Sequence, residues 1–289
     1  MSQEPTSSNP IARAQLPVSI ASSNLADPVF KASSVMASSQ SSPSQPLHSK
    51  VGFWNVRSMN EDTQPGKADL LVRELNKYHI NVCGMAEIKW RGHGCKDVDG
   101  WSIHYSGSTD GSVYGGVGLA LSRNMGAQLI QIQHVSNRLM YGRLQLPGDL
   151  RASIVVSYAP TDISSDEDKD QFYSDLAAVM WRIPDGDMRI VLGDFNAQVG
   201  SEVDVWPGVI GSHGVGSITD NGTRLLSFCS VHKLTVMGTC FEHKRIHKVT
   251  WHSSKQGVHP QIDHIVISQA HRRYVFVTRV YRGADIGTL

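Results

Sequence analysis

The stretch Arg189-Ile190-Val191-Leu192-Gly193-Asp194-Phe195-Asn196-Ala197 passes from a continuous apolar run into a polar turn. Arg189 to Leu192 reads as a strand buried on both faces, because no polar residue alternates within it. Upstream lies a helix pattern in which Phe172, Leu176, Val179, Met180 and Ile183 share one face. Ser164 and Glu167 have the spacing of a capping box at its start, and Pro184-Asp185-Gly186 ends it. Before that helix comes Ser153 to Tyr158, a second apolar run. Short β-rich runs alternating with helical patterns point to α/β or α+β architecture.

Working outward, the same alternation continues. Val51 to Asn55 reads as a strand, Pro65 to Tyr78 as an amphipathic helix and Ile80 to Met85 as the next strand. Trp101 to Tyr105, Gly115 to Leu121, Gln128 to His134 and Leu139 to Leu146 follow as strands separated by turn residues. Asn221-Gly222 precedes a helix carrying Leu225, Leu226, Cys229 and His232. Leu234 to Met237, Val249 to Trp251, Gln261 to Ile267 and Tyr274 to Tyr281 complete the strands, and His93-Gly94-Cys95 reads as loop. So many strands with few helices disfavour a simple doubly wound sheet. The expected class is α/β (α+β), a two-sheet β-sandwich flanked by helices.

Composition divides the chain. Residues 1–49 are rich in serine and hold Pro5, Pro10, Pro17, Pro28, Pro43 and Pro46, with Phe30 the one aromatic. Such a segment buries too little apolar surface to offset its chain entropy, so a disordered leader is expected over 1–49, and a folded domain over 50–289. The leader lacks a secretory core, and Arg13 and Lys31 are its only basic residues, which disfavours a mitochondrial address. Four scattered cysteines among 289 residues do not make a disulfide scaffold. They suit a reducing intracellular setting, nuclear or cytoplasmic. No apolar run approaches the roughly 18 residues that span a bilayer. Net charge is +1, so no polyanion coat is implied by the whole. Locally, residues 162–187 are acidic, while Lys244, Arg245, Lys248, Lys255, Arg272, Arg273, Arg279 and Arg282 make the C-terminal part basic. A basic rim of this kind suits a nucleic-acid backbone, and an ordinary mixed surface explains it equally well.

Polar residues recur where strands end: Asn55, Glu87, Tyr158, Asp194 and Asn196, with Asp263 among β-branched neighbours. Strand ends are where such sheets gather sites. Two or three carboxylates with amides, and no Cys/His cage, suit a hard cation such as Mg²⁺. Each residue taken singly also fits a turn. Cys240-x-x-His243-x-x-x-His247 has ligand-like spacing without the finger pattern, and reads as loop near a nucleic-acid face. Gly115-Gly116-Val117-Gly118 lacks the Lys-Ser/Thr of a phosphate loop and reads as tight strand packing.

The ordered series Phe53-Trp54-Asn55-Val56-Arg57, Ala86-Glu87-Ile88-Lys89, Ser157-Tyr158-Ala159-Pro160, Gly193-Asp194-Phe195-Asn196-Ala197, Thr250-Trp251 and Ile262-Asp263-His264-Ile265 resembles the endonuclease/exonuclease/phosphatase superfamily. Gly115-Gly116-Val117-Gly118-Leu119-Ala120, Asp220-Asn221-Gly222-Thr223-Arg224-Leu225-Leu226 and Arg282-Gly283-Ala284-Asp285-Ile286 bring it nearest to endonuclease domains of non-LTR retrotransposons and craniofacial development protein 2-like proteins. The resemblance covers residue 50 to about 287.

It implies a four-layer, DNase I-like fold and Mg²⁺-dependent hydrolysis of DNA phosphodiesters, with Mn²⁺ as a substitute ion. Glu87 and Asn55 would hold the metal. Asp194 would orient or deprotonate the attacking water. Asn55, Tyr158 and Asn196 would bind the scissile phosphate, Trp251 would face substrate, and Asp263 would orient a histidine. Val56-Arg57 replaces an acidic position found in many relatives. The family's terminal Ser-Asp-His segment and its following strand do not occur in Gly283-Ala284-Asp285-Ile286-Gly287-Thr288-Leu289. The expectation is therefore a C-terminally incomplete domain with impaired catalysis. His264 should point away from Asp263, since strand neighbours face opposite ways, and His271 lies beyond the strand. The alternatives are a non-catalytic pseudonuclease binding nucleic acid or protein, and a phosphoesterase for a small substrate.

Overall fold

The structure, a computed structural model, describes residues 30–37, 47–109, 115–251 and 260–287. In chain order its strands and helices are β1 (Phe30–Ala37), β2 (Leu47–Asn55), α1 (Lys67–Lys77), β3 (Val82–Ala86), β4 (His93–Val98), β5 (Trp101–Ser106), β6 (Val117–Leu121), α2 (Arg123–Gly126), β7 (Leu129–His134), β8 (Leu139–Gln145), β9 (Arg151–Tyr158), α3 (Asp166–Arg182), β10 (Met188–Asp194), α4 (Asp220–Val231), β11 (Leu234–Val236), β12 (Asp263–Ser268) and β13 (Val275–Val280). They form two mixed sheets. The first has the order β13-β1-β2-β3-β6-β5-β4, and the second β11-β12-β10-β9-β8-β7.

The expected layers are present. Phe53, Leu119, Leu144, Ile154, Ile190, Leu192 and Ile265 pack between the sheets. Outside the first sheet, Leu71 and Leu75 of α1 pack with Trp54, Met85 and Ile103. Outside the second, Phe172, Leu176 and Leu225 of α3 and α4 cover Val155, Val191 and Val266. Ile190 and Leu192 thus face the inter-sheet core while Val191 faces the helices, which is why this strand is apolar throughout. Both parallel pairs, β2 with β3 and β9 with β10, are joined through helices, α1 and α3. Gly193 lets β10 approach β9: a Cβ there would lie 2.1 Å from Ser157 Oγ.

Five expectations need correction. Residues 30–37 are not part of a disordered leader, since β1 pairs antiparallel with β2 and β13 at once. Backbone pairing on both edges supplies what a Ser-rich composition does not announce. Residues 47–49 likewise belong to β2, whereas 1–29 and 38–46 lie outside the described residues. His93-Gly94-Cys95 is not loop but the start of β4, an exposed edge strand without an apolar stripe. Val249 to Trp251 is not a strand: Thr250 and Trp251 both donate their main-chain N–H to the Pro260 carbonyl. The α3 cap is Ser165, whose side chain accepts from the Asp168 N–H, rather than Ser164. Asn221-Gly222 lies inside the first turn of α4, which Thr219 caps.

Candidate active site

Both sheets deliver strand ends to one end of the sandwich. In the first sheet Asn55 is in register with Ala86, so Glu87 emerges beside it. In the second, Asp194 sits between Tyr158 on β9 and Asp263 on β12, each directly across from it. Neighbours across strands share a face, so these three side chains point the same way. They line a cavity of about 160 Å³ together with Asn55, Glu87, Asn196 and Trp251. Every residue expected at the site is therefore brought together.

Asn55 is the joint between the sheets. Its Nδ2 donates to Glu87 Oε1 at 2.7 Å and to Asp194 Oδ2 at 3.0 Å. Its Oδ1 accepts the Arg57 N–H at 3.1 Å, which fixes the amide. In this orientation its NH₂ faces the two carboxylates, so offering oxygen to a cation requires an amide flip. Tyr158 donates its hydroxyl to Glu87 Oε1 at 3.3 Å. Burial, reinforced by the charges of Glu87 and Asp194, pushes its phenol well above the ordinary tyrosine value, so it stays a donor. Lys89 Nζ lies 3.4 Å from Glu87 Oε2.

Asp194 is oriented from its own loop, accepting the Asn196 N–H at 3.0 Å on Oδ1. Asn196 Nδ2 donates to the Ala159 carbonyl at 3.0 Å. Backbone at Arg57, Glu87, Lys89 and Asn196 is left-handed, with φ between 47° and 55°. Three of them, Arg57, Glu87 and Asn196, line the cavity, a site where local strain is held by surrounding contacts. Trp251 is 41% exposed at the rim, whereas Asp263 is 3% exposed.

Several contributors escaped the sequence reading. Asn221 is fully buried and donates to the Pro160 and Asn196 carbonyls at 3.0 and 3.2 Å, tying two site loops together. Thr250 Oγ1 accepts the N–H groups of Ile262 and Asp263. Arg138 donates to the Tyr158 carbonyl at 3.1 Å. Arg57 and Thr161 also line the cavity. The motif around Asn221 was visible, but a buried, satisfied amide has no sequence signature of its own.

The histidines behave as strand geometry requires. His264 is buried and its ring bonds the Ala197 carbonyl, on the face opposite Asp263. His271 contacts Ser268, at the far end of β12. No histidine is among the described residues lining the cavity.

The donors fit a hard divalent cation: the carboxylates of Glu87 and Asp194 lie a single amide apart and supply oxygen, and Asn55 adds its own after an amide flip. Among the described residues no three His, Cys, Asp or Glu side chains form a metal-holding group, Cys240, His243 and His247 included. A cation here would keep part of its water shell, as Mg²⁺ does.

The chain matches the model of the Endonuclease/Exonuclease/phosphatase family over residues 52–285. It is 32% identical over 239 residues to craniofacial development protein 2 of Bos taurus, a match covering 82% of this chain and 39% of that relative. The chain thus spans about two fifths of the curated relative's length. Among solved structures, it resembles the AP endonuclease LMAP from Leishmania major with a TM-score of 0.58 and 12% identity, covering 80% of this chain and 86% of the other. It also resembles the catalytic domain of Xenopus laevis APE2, with a TM-score of 0.53 and 16% identity over 77% and 83% of the two chains. At these identities the structural likeness establishes the DNase I-like fold.

Proposed function

Since this chain belongs to the endonuclease/exonuclease/phosphatase family, we propose that it is an Mg²⁺-dependent phosphodiesterase acting on nucleic acid, with DNA as the leading substrate. One observation carries the proposal. The two carboxylates Glu87 and Asp194 come from different sheets and meet through the Asn55 amide on the wall of one cavity. That is a costly arrangement for structure alone, because like charges held together must be offset by donors or a cation.

Glu87 would hold the ion, with Asn55 joining after its amide turns. A bound Mg²⁺ would supply Lewis-acid stabilisation of charge on the phosphoryl oxygens. Asp194, oriented by the Asn196 N–H on one oxygen and by Asn55 on the other, would take a proton from the attacking water. Tyr158 and the Asn196 amide would donate to the phosphate, Tyr158 remaining protonated because its phenol is held high. Trp251, exposed on the rim, offers a face on which a base or sugar can pack. One structural neighbour, LMAP from Leishmania major, is named an AP endonuclease, which favours DNA over a small phosphoester.

A second reading has an observation in its favour. No histidine lines the cavity among the described residues, and Asp263 is flanked by a histidine that faces away. A chain that binds nucleic acid without cleaving it would look the same at this point. Nicking of supercoiled DNA by the full chain decides between them. Hydrolysis in Mg²⁺ that both EDTA and Asp194→Ala abolish supports the enzyme. Salt-sensitive DNA binding without nicking supports the binder.

A further inference from the structure

A second polar cavity, of about 320 Å³, opens between the loops that follow β5 and β7. Its walls include His93, Ser106, Ser108, His134, Ser136 and Asn137, and no acidic residue lines it among the described residues. His93 on β4 and His134 on β7 come from opposite sheets, with ring centroids 5.0 Å apart and planes 30° from parallel. Ser106 donates to the Ser136 carbonyl at 2.8 Å, and Ser136 Oγ accepts the Arg138 N–H, leaving the Ser136 hydroxyl proton available. The cavity shares an end of the sandwich with the candidate site: Ser106 is in register with Val117, which is in register with Ala86. The contact is continuous. Asn137 O accepts the Gly116 N–H, Gly116 O accepts the Ile88 N–H, and Ile88 follows Glu87.

We propose that this cavity binds a second phosphate of the same nucleic-acid strand whose scissile phosphate occupies the Glu87–Asp194 site, with His93 and His134 as its two grips. It rests on the reading of that site given above. Donors without carboxylates suit an anion, and two imidazoles can each donate to one phosphate. Both cavities open at the same end of the sandwich, the placement that one continuous strand would need.

The grip should depend on pH. Burial, then the charge of His93, holds His134 below the ordinary imidazole value. His104 on β5 is lowered by burial and then by His134, with Asp97 on β4 opposing. Cys95, beside His104, is held up by burial and then Asp97, so it adds no negative charge. An anion against the His134 ring favours its charged form, so binding tightens as pH falls through the imidazole range.

The test uses the full chain in EDTA, with a labelled single-stranded oligonucleotide followed by anisotropy at about pH 8 and about pH 5.5. His93→Gln and the double variant with His134→Gln are compared with the native chain after circular dichroism confirms their folds. The expected native-to-variant affinity ratio is near one at the higher pH and about tenfold at the lower, with His93→Gln, an exposed position, showing part of the change. An equal ratio at both pH values overturns the proposal, and if Mg²⁺-dependent nicking persists, the catalytic reading stands without it. Inorganic phosphate is the second probe. If it competes as effectively as the oligonucleotide, the cavity is an independent anion site and the strand proposal is wrong. No oligonucleotide binding by the native chain at either pH overturns this inference, while the catalytic reading is decided separately by nicking in Mg²⁺.

Discussion

Asn55 and Asp194 stand on facing sheets, and a 3.0 Å hydrogen bond from Asn55 Nδ2 joins them while the same nitrogen donates to Glu87. Asn55→Leu removes both donors from a carboxylate pair and takes away the candidate phosphate contact. The expected loss in Mg²⁺-dependent nicking rate is about 10²–10³-fold, the usual cost of one preorganised donor. Circular dichroism should show the fold intact. A variant as active as the native chain would mean that the joint is structural only.

Asn221 is a positioning residue. Asn221→Ala leaves the Pro160 and Asn196 carbonyls without their buried donor. Stability should fall by about 2 kcal/mol, read as a lower urea midpoint at unchanged slope. Nicking should fall with it, through a lower kcat rather than a higher KM, because Asn196 anchors Asp194. Asn221→Asp, which keeps the shape but loses the donors, should not restore either.

Ser33 of β1 is paired with Val51 on one side and Thr278 on the other. Ser33→Pro therefore breaks a central strand and should cost about 2–3 kcal/mol in urea unfolding. In an unpaired, Ser/Pro-rich leader the same change would leave stability untouched, so an unchanged midpoint would remove β1 from the sheet.

Lys67 is 2% exposed and donates to the Val56 carbonyl at 2.9 Å. Burial, with Arg57 and Lys89 adding to it, lowers its pKa from 10.5 to about 8. Below pH 8 both folded and unfolded forms carry the proton, and the fold bears the full burial penalty. Between about 8 and 10.5 the unfolded chain binds more protons, so stability rises with pH across that window. Relative to Lys67→Met, the native chain should gain at most about 3 kcal/mol from pH 8 to the top of the window. A constant difference between the two proteins would show that Lys67 titrates normally.

Much of this was readable before the structure, for physical reasons. β9, β10 and β12 announce themselves because both faces are buried, and the helices α1, α3 and α4 because one face is. Most of the candidate site residues were readable because they lie at or just past the ends of buried strands, and strand ends converge in a sandwich of this kind. β4 was not, since its side chains alternate between exposed and half-buried without an apolar stripe. β1 was hidden by its composition; its place depends on two partners, β2 soon after it and β13 far along the chain. The roles of Asn221, Thr250 and Arg138 depend on carbonyls and N–H groups brought close only by folding.

The most direct measurement is a calorimetric titration of the full chain with Mg²⁺ in the absence of DNA, repeated for Glu87→Gln and Asn55→Ala. One ion bound by the native chain, lost in Glu87→Gln and weakened in Asn55→Ala, is the expected result. Binding that neither substitution alters, or no binding at any concentration at which the native chain nicks DNA, would contradict a metal-dependent site at the junction of the two sheets.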